Sequence, residues 1–164
     1  MVRMLRANKN SSKNAAGTRF AIVASKYNGQ YVDAMVRAAK GELKKAGAGM
    51  IQVIRVPGAF EIPVVAATLA KTKSPSVILC LGVVFQGQTS HAQHIGWGVT
   101  HALAQIQIQH GVPIIHGVFT FEKEEHARVR CLGKTHNRGT EAAQTAVAMA
   151  AVMKGLLSKT ATSA

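Results

Sequence analysis

Short apolar runs alternate along the chain with stretches in which apolar residues recur every three or four positions. The run FAIVA at 20–24 reads as a buried strand. Residues 30–46 read as a helix, with Val32, Met35, Val36, Ala39 and Leu43 on one face. Lys44 and Lys45 fall in its last turn and Gly47 follows, a favourable stop because cations oppose the dipole of a helix end. Residues 51–56 form a second strand and 65–71 a short helix. The run at 76–85 is apolar without a break, as in a strand buried on both faces. A helix over 90–110, a strand over 113–120, an acidic helical turn over 122–128 and a small-residue helix over 140–157 complete the pattern. Strands separated by helices predict βαβ units and one parallel sheet covered on both sides.

Ligands of such sheets gather beyond the carboxyl ends of the strands. Residues 26–29, 57–61, 86–91 and those from 119 onward are therefore the places to look. Composition narrows the classes. At 164 residues, 48% hydrophobic and 16% charged, the chain is a folded globule of single-domain size. It has no internal repeat or dividing linker, and no apolar run long enough to cross a bilayer. Cys80 and Cys131 make neither a disulfide framework nor a zinc cluster. Cytoplasm is the expected location, and the Arg-rich, acid-free start leaves organellar import open. The net charge of +13 attracts anions. Arg3, Arg6, Lys9, Lys13 and Arg19 precede any acid, so residues 1–18 read as a flexible or oligomer-facing arm and 19–164 as the domain. Few aromatics and no Cys/His finger argue against a specific reader of nucleic acid.

Three segments carry candidate chemistry. Ser90 and Gln93 have the spacing of a capping box directly after the turn 86–89. That turn presents backbone amides at a helix start, either as an anion site or as an ordinary solvated terminus. His91 stands first in that helix, where the positive end favours a neutral, proton-exchanging ring; the alternative is a plain surface histidine. His94 and His101 follow at helical spacing, but no carboxylate or thiolate completes a metal set. The second segment is VPGAFEIP at 56–63. Pro63 suits the start of a helix, which leaves residues 58–61 as an irregular connection. Phe60 reads as core rather than ligand platform, and Glu61 as a surface cap. The third segment, 128–138, holds Arg128, Arg130, Lys134 and Arg138, as a solvated basic loop or with Arg130 as a two-pronged grip on phosphate.

Taken together, VPGAFEIP at 56–63, GQTSH at 87–91 and RCLGKTHNRG at 130–139 resemble the lumazine synthase family in order and interval. The likeness runs from about Arg19 to Leu157. It implies a flavodoxin-like three-layer α/β/α sandwich with a central parallel sheet of about four strands. It also implies condensation of 5-amino-6-(D-ribitylamino)uracil with 3,4-dihydroxy-2-butanone 4-phosphate to 6,7-dimethyl-8-ribityllumazine, phosphate and water, the penultimate step of riboflavin biosynthesis. No cofactor and no metal are implied. By position, Tyr27 matches the aromatic that stacks on the pyrimidine, with Asn28 beside it. Ala59, Phe60 and Glu61 match the segment that binds the ribityl chain and ring, and Val83, Val84 and Phe85 the strand end lining the pyrimidine pocket. Gln88 and Thr89 match the phosphate-binding amides, Arg130 the phosphate-binding arginine and His91 the proton-transferring histidine. Lys134 and Glu141 resemble charged residues at the site's edge.

The implied partners are the two substrates, further copies of the chain in a pentamer or pentamer-based capsid with shared sites, and riboflavin synthase; no membrane is implied. Departures stand beside the matches. Gln86 replaces a common basic residue, Ala92 and Gln93 replace an aromatic–acid pair, and His116 stands where a neighbouring subunit usually contributes phenylalanine. These keep a second reading open, a catalytically weak lumazine- or flavin-binding or shell-forming homologue. The charge alone suggests a third, a nucleic-acid binder.

Overall fold

A computed structural model describes residues 15–161. Strands β1 (Arg19–Ser25), β2 (Met50–Val56), β3 (Val77–Phe85) and β4 (Ile114–Phe121) form one parallel sheet in the order β2-β1-β3-β4. Helices α1 (Gly29–Lys45) and α5 (Arg138–Ala161) cover one face, and α2 (Ile62–Thr72) and α3 (His91–His110) the other. A short α4 (Glu124–Ala127) runs into a π-helical turn, Arg128–Leu132. This is the expected flavodoxin-like three-layer α/β/α arrangement. No helix among the described residues is long and apolar enough to cross a membrane.

The pleat explains the two cores. Along β1, Phe20, Ile22 and Ala24 point to the α1/α5 layer while Ala21 and Val23 point to α2 and α3. The central β3 is buried throughout residues 77–83, as its unbroken apolar run predicts. On α1 the expected face, Val32, Met35, Val36, Ala39 and Leu43, is buried, each large side chain contributing roughly 1.5–3 kcal/mol. Helix α5 approaches α1 closely at Gly139, where an added Cβ would run into the backbone of Met35.

Residues 15–18 of the basic arm lie against the domain. Ala15 is fully buried, its N–H donates to the Ala46 carbonyl at 3.1 Å, and Ala16 bridges Ala48. The rest of the arm, with Arg3, Arg6, Lys9 and Lys13, lies outside the described residues.

Three readings of the pattern need correction. Helix α2 starts at Ile62 rather than 65, because Pro63 fits its first turn and Ile62 is already buried. The basic segment after 128 is not a solvated loop at its start. Ala127 and Cys131, one turn apart and both fully buried, pin Arg128–Leu132 as a π-turn against α1. The capping box at Ser90 does not form: Ser90 has φ −71° and ψ 0° and makes no side-chain cap. Its hydroxyl pairs with His94 Nε2 at 3.0 Å instead.

Candidate active site at the carboxyl ends of the strands

All four strands deliver their carboxyl ends to one end of the sheet, and the connections there are tied to one another. After β1, Lys26 N–H donates to the carbonyls of Val56 (2.8 Å) and Pro57 (3.1 Å), and Tyr27 N–H to Pro57 (3.1 Å). Asn28 takes the left-handed conformation, φ 55°, that asparagine tolerates better than most residues. Its Nδ2 donates to the Val83 carbonyl at 2.8 Å, joining this turn to the end of β3. Arg55 holds the turn from within the sheet. Its guanidinium donates to the Ser25 carbonyl at 2.8 Å and to the Asp33 carboxylate on α1 at 2.5 Å. Sequence reasoning passed over both residues; an arginine inside an apolar strand and the only aspartate of the chain were the available signals.

After β2, residues Ala59–Glu61 form a single 3-10 turn. Glu61 caps it, its Oε2 accepting from Gly58 N–H at 2.9 Å. An added Cβ on Gly58 would come within 2.8 Å of that carboxylate and 3.1 Å of the Tyr27 ring, so the ring lies directly over the glycine. Phe60 is not core: it is 63% exposed, because Ala59 and Ile62 on either side fill the space beneath. Its ring edge would stand 3.4 Å from a Cβ on Gly98 of α3. Tyr27, 67% exposed, is the second open ring of this end.

The end of β3 divides between the layers. Val83 and Phe85 face α1, with the Phe85 ring edge-on to Tyr31 at 5.6 Å, while Val84 faces α2 and α3. Gln86 then closes the loop, its N–H donating to the Phe121 carbonyl (2.8 Å) and its Nε2 to the Thr89 carbonyl (2.9 Å). Gln88 and Thr89 are exposed ahead of α3, and Thr89 Oγ1 accepts from His91 N–H at 3.4 Å. Among the described residues nothing accepts from the N–H groups of Gln88 and Thr89. His91 is the exposed first residue of α3. The later histidines turn elsewhere, His94 to Ser90 and His101 Nδ1 to the Trp97 carbonyl at 2.9 Å.

Beyond β4 the arginines differ. Arg128 pairs with Glu124 at 3.2 Å. Arg138 pairs with Glu141 and lies over the Phe119 ring, 5.5 Å from its centre. The half-buried Arg130, on the π-turn, has no hydrogen bond or ion pair among the described residues. Asn137, also missed by sequence reasoning as a structural tie, fixes that turn to α5. Its Nδ2 donates to the Cys131 carbonyl at 2.5 Å, and its Oδ1 accepts from Gly139 N–H at 2.8 Å. Lys134 is exposed in the loop between. Burial pushes the Cys131 thiol up to about 11 and Cys80 further still, so both stay protonated.

His116 stands apart from the other candidates. It lies midway along β4, level with Cys80, in a groove of about 380 Å³ on the open edge of the sheet. Phe119, Arg138 and Glu141 line the same groove. Thr100 Oγ1 donates to the Gly96 carbonyl at 2.7 Å and lies 2.9 Å from His116 Nε2. Desolvation holds this imidazole below its ordinary value of 6.5. The structure thus gathers Tyr27, Asn28, residues 59–61 and the end of β3 at the carboxyl ends of the strands, with Phe60 against Gly98 of α3, and places His116 and Glu141 in the groove along β4.

Comparison with known proteins finds relatives along most of the chain. A family model described as 6,7-dimethyl-8-ribityllumazine synthase matches residues 17–154. The chain is 40% identical over 142 residues to the 6,7-dimethyl-8-ribityllumazine synthase of Stenotrophomonas maltophilia (strain R551-3), covering 84% of this chain and 90% of that protein. It is 39% identical over 138 residues to the protein of the same name from Xanthomonas oryzae pv. oryzae (strain PXO99A), covering 83% and 90%.

Proposed function

The chain belongs to the 6,7-dimethyl-8-ribityllumazine synthase family, and from that premise we propose how this site works as well as what it makes. The enzyme condenses 5-amino-6-(D-ribitylamino)uracil with 3,4-dihydroxy-2-butanone 4-phosphate to give 6,7-dimethyl-8-ribityllumazine, phosphate and water. The observation that carries the assignment of the site is the pair of open rings. Tyr27, over Gly58, and Phe60, against Gly98, are each about two-thirds exposed at the carboxyl ends of β1 and β2. In this reading Tyr27 stacks on the pyrimidine, Asn28 and Val84 border it, and residues 59–61 present backbone groups to the ribityl chain. Val83 and Phe85 shape the wall from the core side.

The phosphate of the second substrate meets the free N–H groups of Gln88 and Thr89 at the start of α3, where the helix dipole favours an anion. Arg130 supplies the opposing charge, and its lack of an internal partner supports that role. The ring amine adds to the ketone and loses water to form an imine, phosphate leaves, and the ring closes. Holding the two reactants in register supplies much of the acceleration. Arg130 and the helix start stabilise the departing phosphate, and His91 moves protons. Lys134 borders the site, and Glu141, in the groove with His116, borders a neighbour's.

Full sites form between copies of the chain. His116 bonds Thr100, nine residues after His91, which at 1.5 Å per residue is about 13–14 Å along α3. That separation supports His116 serving a neighbour's pocket, in a pentamer or an assembly of pentamers. Cytoplasm is the proposed location. The test mixes purified protein with both substrates and follows lumazine fluorescence, with light scattering for assembly. Lumazine binding without turnover would favour the weak, shell-forming homologue that the changes at Ala92, Gln93 and His116 suggest.

A further inference from the structure

The charge of this molecule is distributed as a pole. Of its seven acidic residues, Asp33, Glu61, Glu122, Glu124, Glu125 and Glu141 stand in the half that bears the strands' carboxyl ends. Glu42 alone lies toward the opposite end, near the close of α1. The parallel topology returns every covering helix to that opposite end, so their basic last turns meet there. Lys44 and Lys45 close α1, Lys71 and Lys73 close α2, Lys154 lies late in α5, and Arg19 opens β1; all are exposed. The gathered helix C-termini each contribute about −0.5 of a charge. That is too little to cancel these cations. Glu42 neutralises little of the excess, lying 4.0 Å from a Lys45 side chain that is itself 79% exposed. Residues 15–18 pack against Ala46 and Ala48 at this same end.

We propose that this face, remote from the substrate site, binds the phosphate backbone of single-stranded nucleic acid without reading its sequence. Sequence-neutral binding follows from what the face lacks. The exposed rings Tyr27 and Phe60 stand at the other end, Trp97 lies in the first half of α3 stacked on His101, and Phe20, the aromatic nearest the pole, is buried. Among the described residues no Phe, Tyr or Trp ring is therefore open at the pole, and recognition rests on charge. A lipid surface fits less well. The apolar face of α1 is spent in the core, so its basic residues Arg37, Lys40 and Lys44 have no apolar partner to insert beside them.

The experiment uses the full chain and a mixed-sequence single-stranded oligonucleotide, with anisotropy measured across a salt series. Two double variants of equal net charge are compared, Lys44→Gln with Lys73→Gln at the pole and Lys123→Gln with Arg128→Gln at the other end. Thermal melts check that both are folded. Each phosphate contact contributes about 0.7 to the slope of log K against log salt. The pole variant should lose roughly 1.4 of that slope with turnover unchanged, and the other variant should bind like the wild type. Equal weakening of the two would mean that net charge alone attracts the oligonucleotide and would overturn the proposal. So would an absence of binding at low salt, or tighter binding to phosphatidylserine vesicles than to the oligonucleotide at equal phosphate.

Discussion

Replacing Asn137 with alanine should cost more than any other single polar substitution outside the strands. The side chain is 8% exposed and uses both ends of its amide, as donor to the Cys131 carbonyl and acceptor from Gly139 N–H. Alanine leaves both backbone groups unpaired in a buried place, at about 1–3 kcal/mol each. The expected loss is therefore about 2–6 kcal/mol. For a domain of this size each kcal/mol lowers Tm by about 2–4 °C, so the melt should fall by roughly 4–24 °C. The comparison needs fixed protein concentration, because assembly shifts Tm by mass action. Asn137→Asp keeps the Gly139 bond but sets a charged oxygen against the Cys131 carbonyl, and should do no better than alanine. Since Asn137 ties the turn carrying Arg130 to the start of α5, use of the phosphorylated substrate should fall more than pyrimidine binding. An alanine variant that melts within about 2 °C of wild type and uses the phosphate normally would refute the reasoning.

Three further outcomes are expected. Arg130→Lys keeps the charge and loses the planar fork, so use of the butanone phosphate should weaken by about 1.5–3 kcal/mol while a ribityl-pyrimidine analogue titrates nearly as before; equal losses would make Arg130 structural. His91→Ala should slow kcat by ~10²–10⁴-fold and leave phosphate affinity largely intact, because positioning survives the change; a variant as fast as wild type would hand the proton to solvent or to the substrate's phosphate. His116, held neutral by desolvation, should titrate below 6.5 by NMR. The unfolded ring binds its proton more readily, so the stability linked to this group is intact above about 6.5 and is lost as pH falls through the folded midpoint. A midpoint at or above 6.5 would contradict that burial.

The layers of the fold were legible because burial leaves a period in the sequence. The unbroken run of β3 and the single apolar face of α1 each admit one placement. Phe60 was not legible. An aromatic in a strand-to-helix connection fits core or solvent equally, and the outcome rests on whether Ala59 and Ile62 fill the core first. The start of α3 misled because its cap depends on the backbone of Ser90, within a loop that Gln86 closes onto Thr89. Arg55 and Asn137 act through backbone carbonyls, which carry no residue identity, so no pattern of side chains announces them. The candidate site residues stood out as motifs, but the placing of His116 and Glu141 in a separate groove along the sheet edge left no mark in the sequence.

That division links catalysis to assembly. In the site proposed above, a single chain holds His91 at the start of α3 and His116 against Thr100, about nine residues further along, on the open edge of the sheet. The surface in the same region is unfinished. Trp97 is 67% exposed with its ring stacked on His101, Val64 is 65% exposed on α2, and Ile108 is 82% exposed near the end of α3. A tryptophan covers roughly 150–250 Å² when fully buried, so enclosing the open two-thirds of Trp97 at about 25 cal/mol per Å² is worth about 3 kcal/mol. A neighbouring copy that covers Trp97 and brings its own His116 toward the first chain's His91 would gain that energy and complete the pocket in one step. Activity should then fall with the assembled fraction on dilution, each chain keeping its fold, and a monomer with full turnover would leave the gap between His91 and His116 without a purpose.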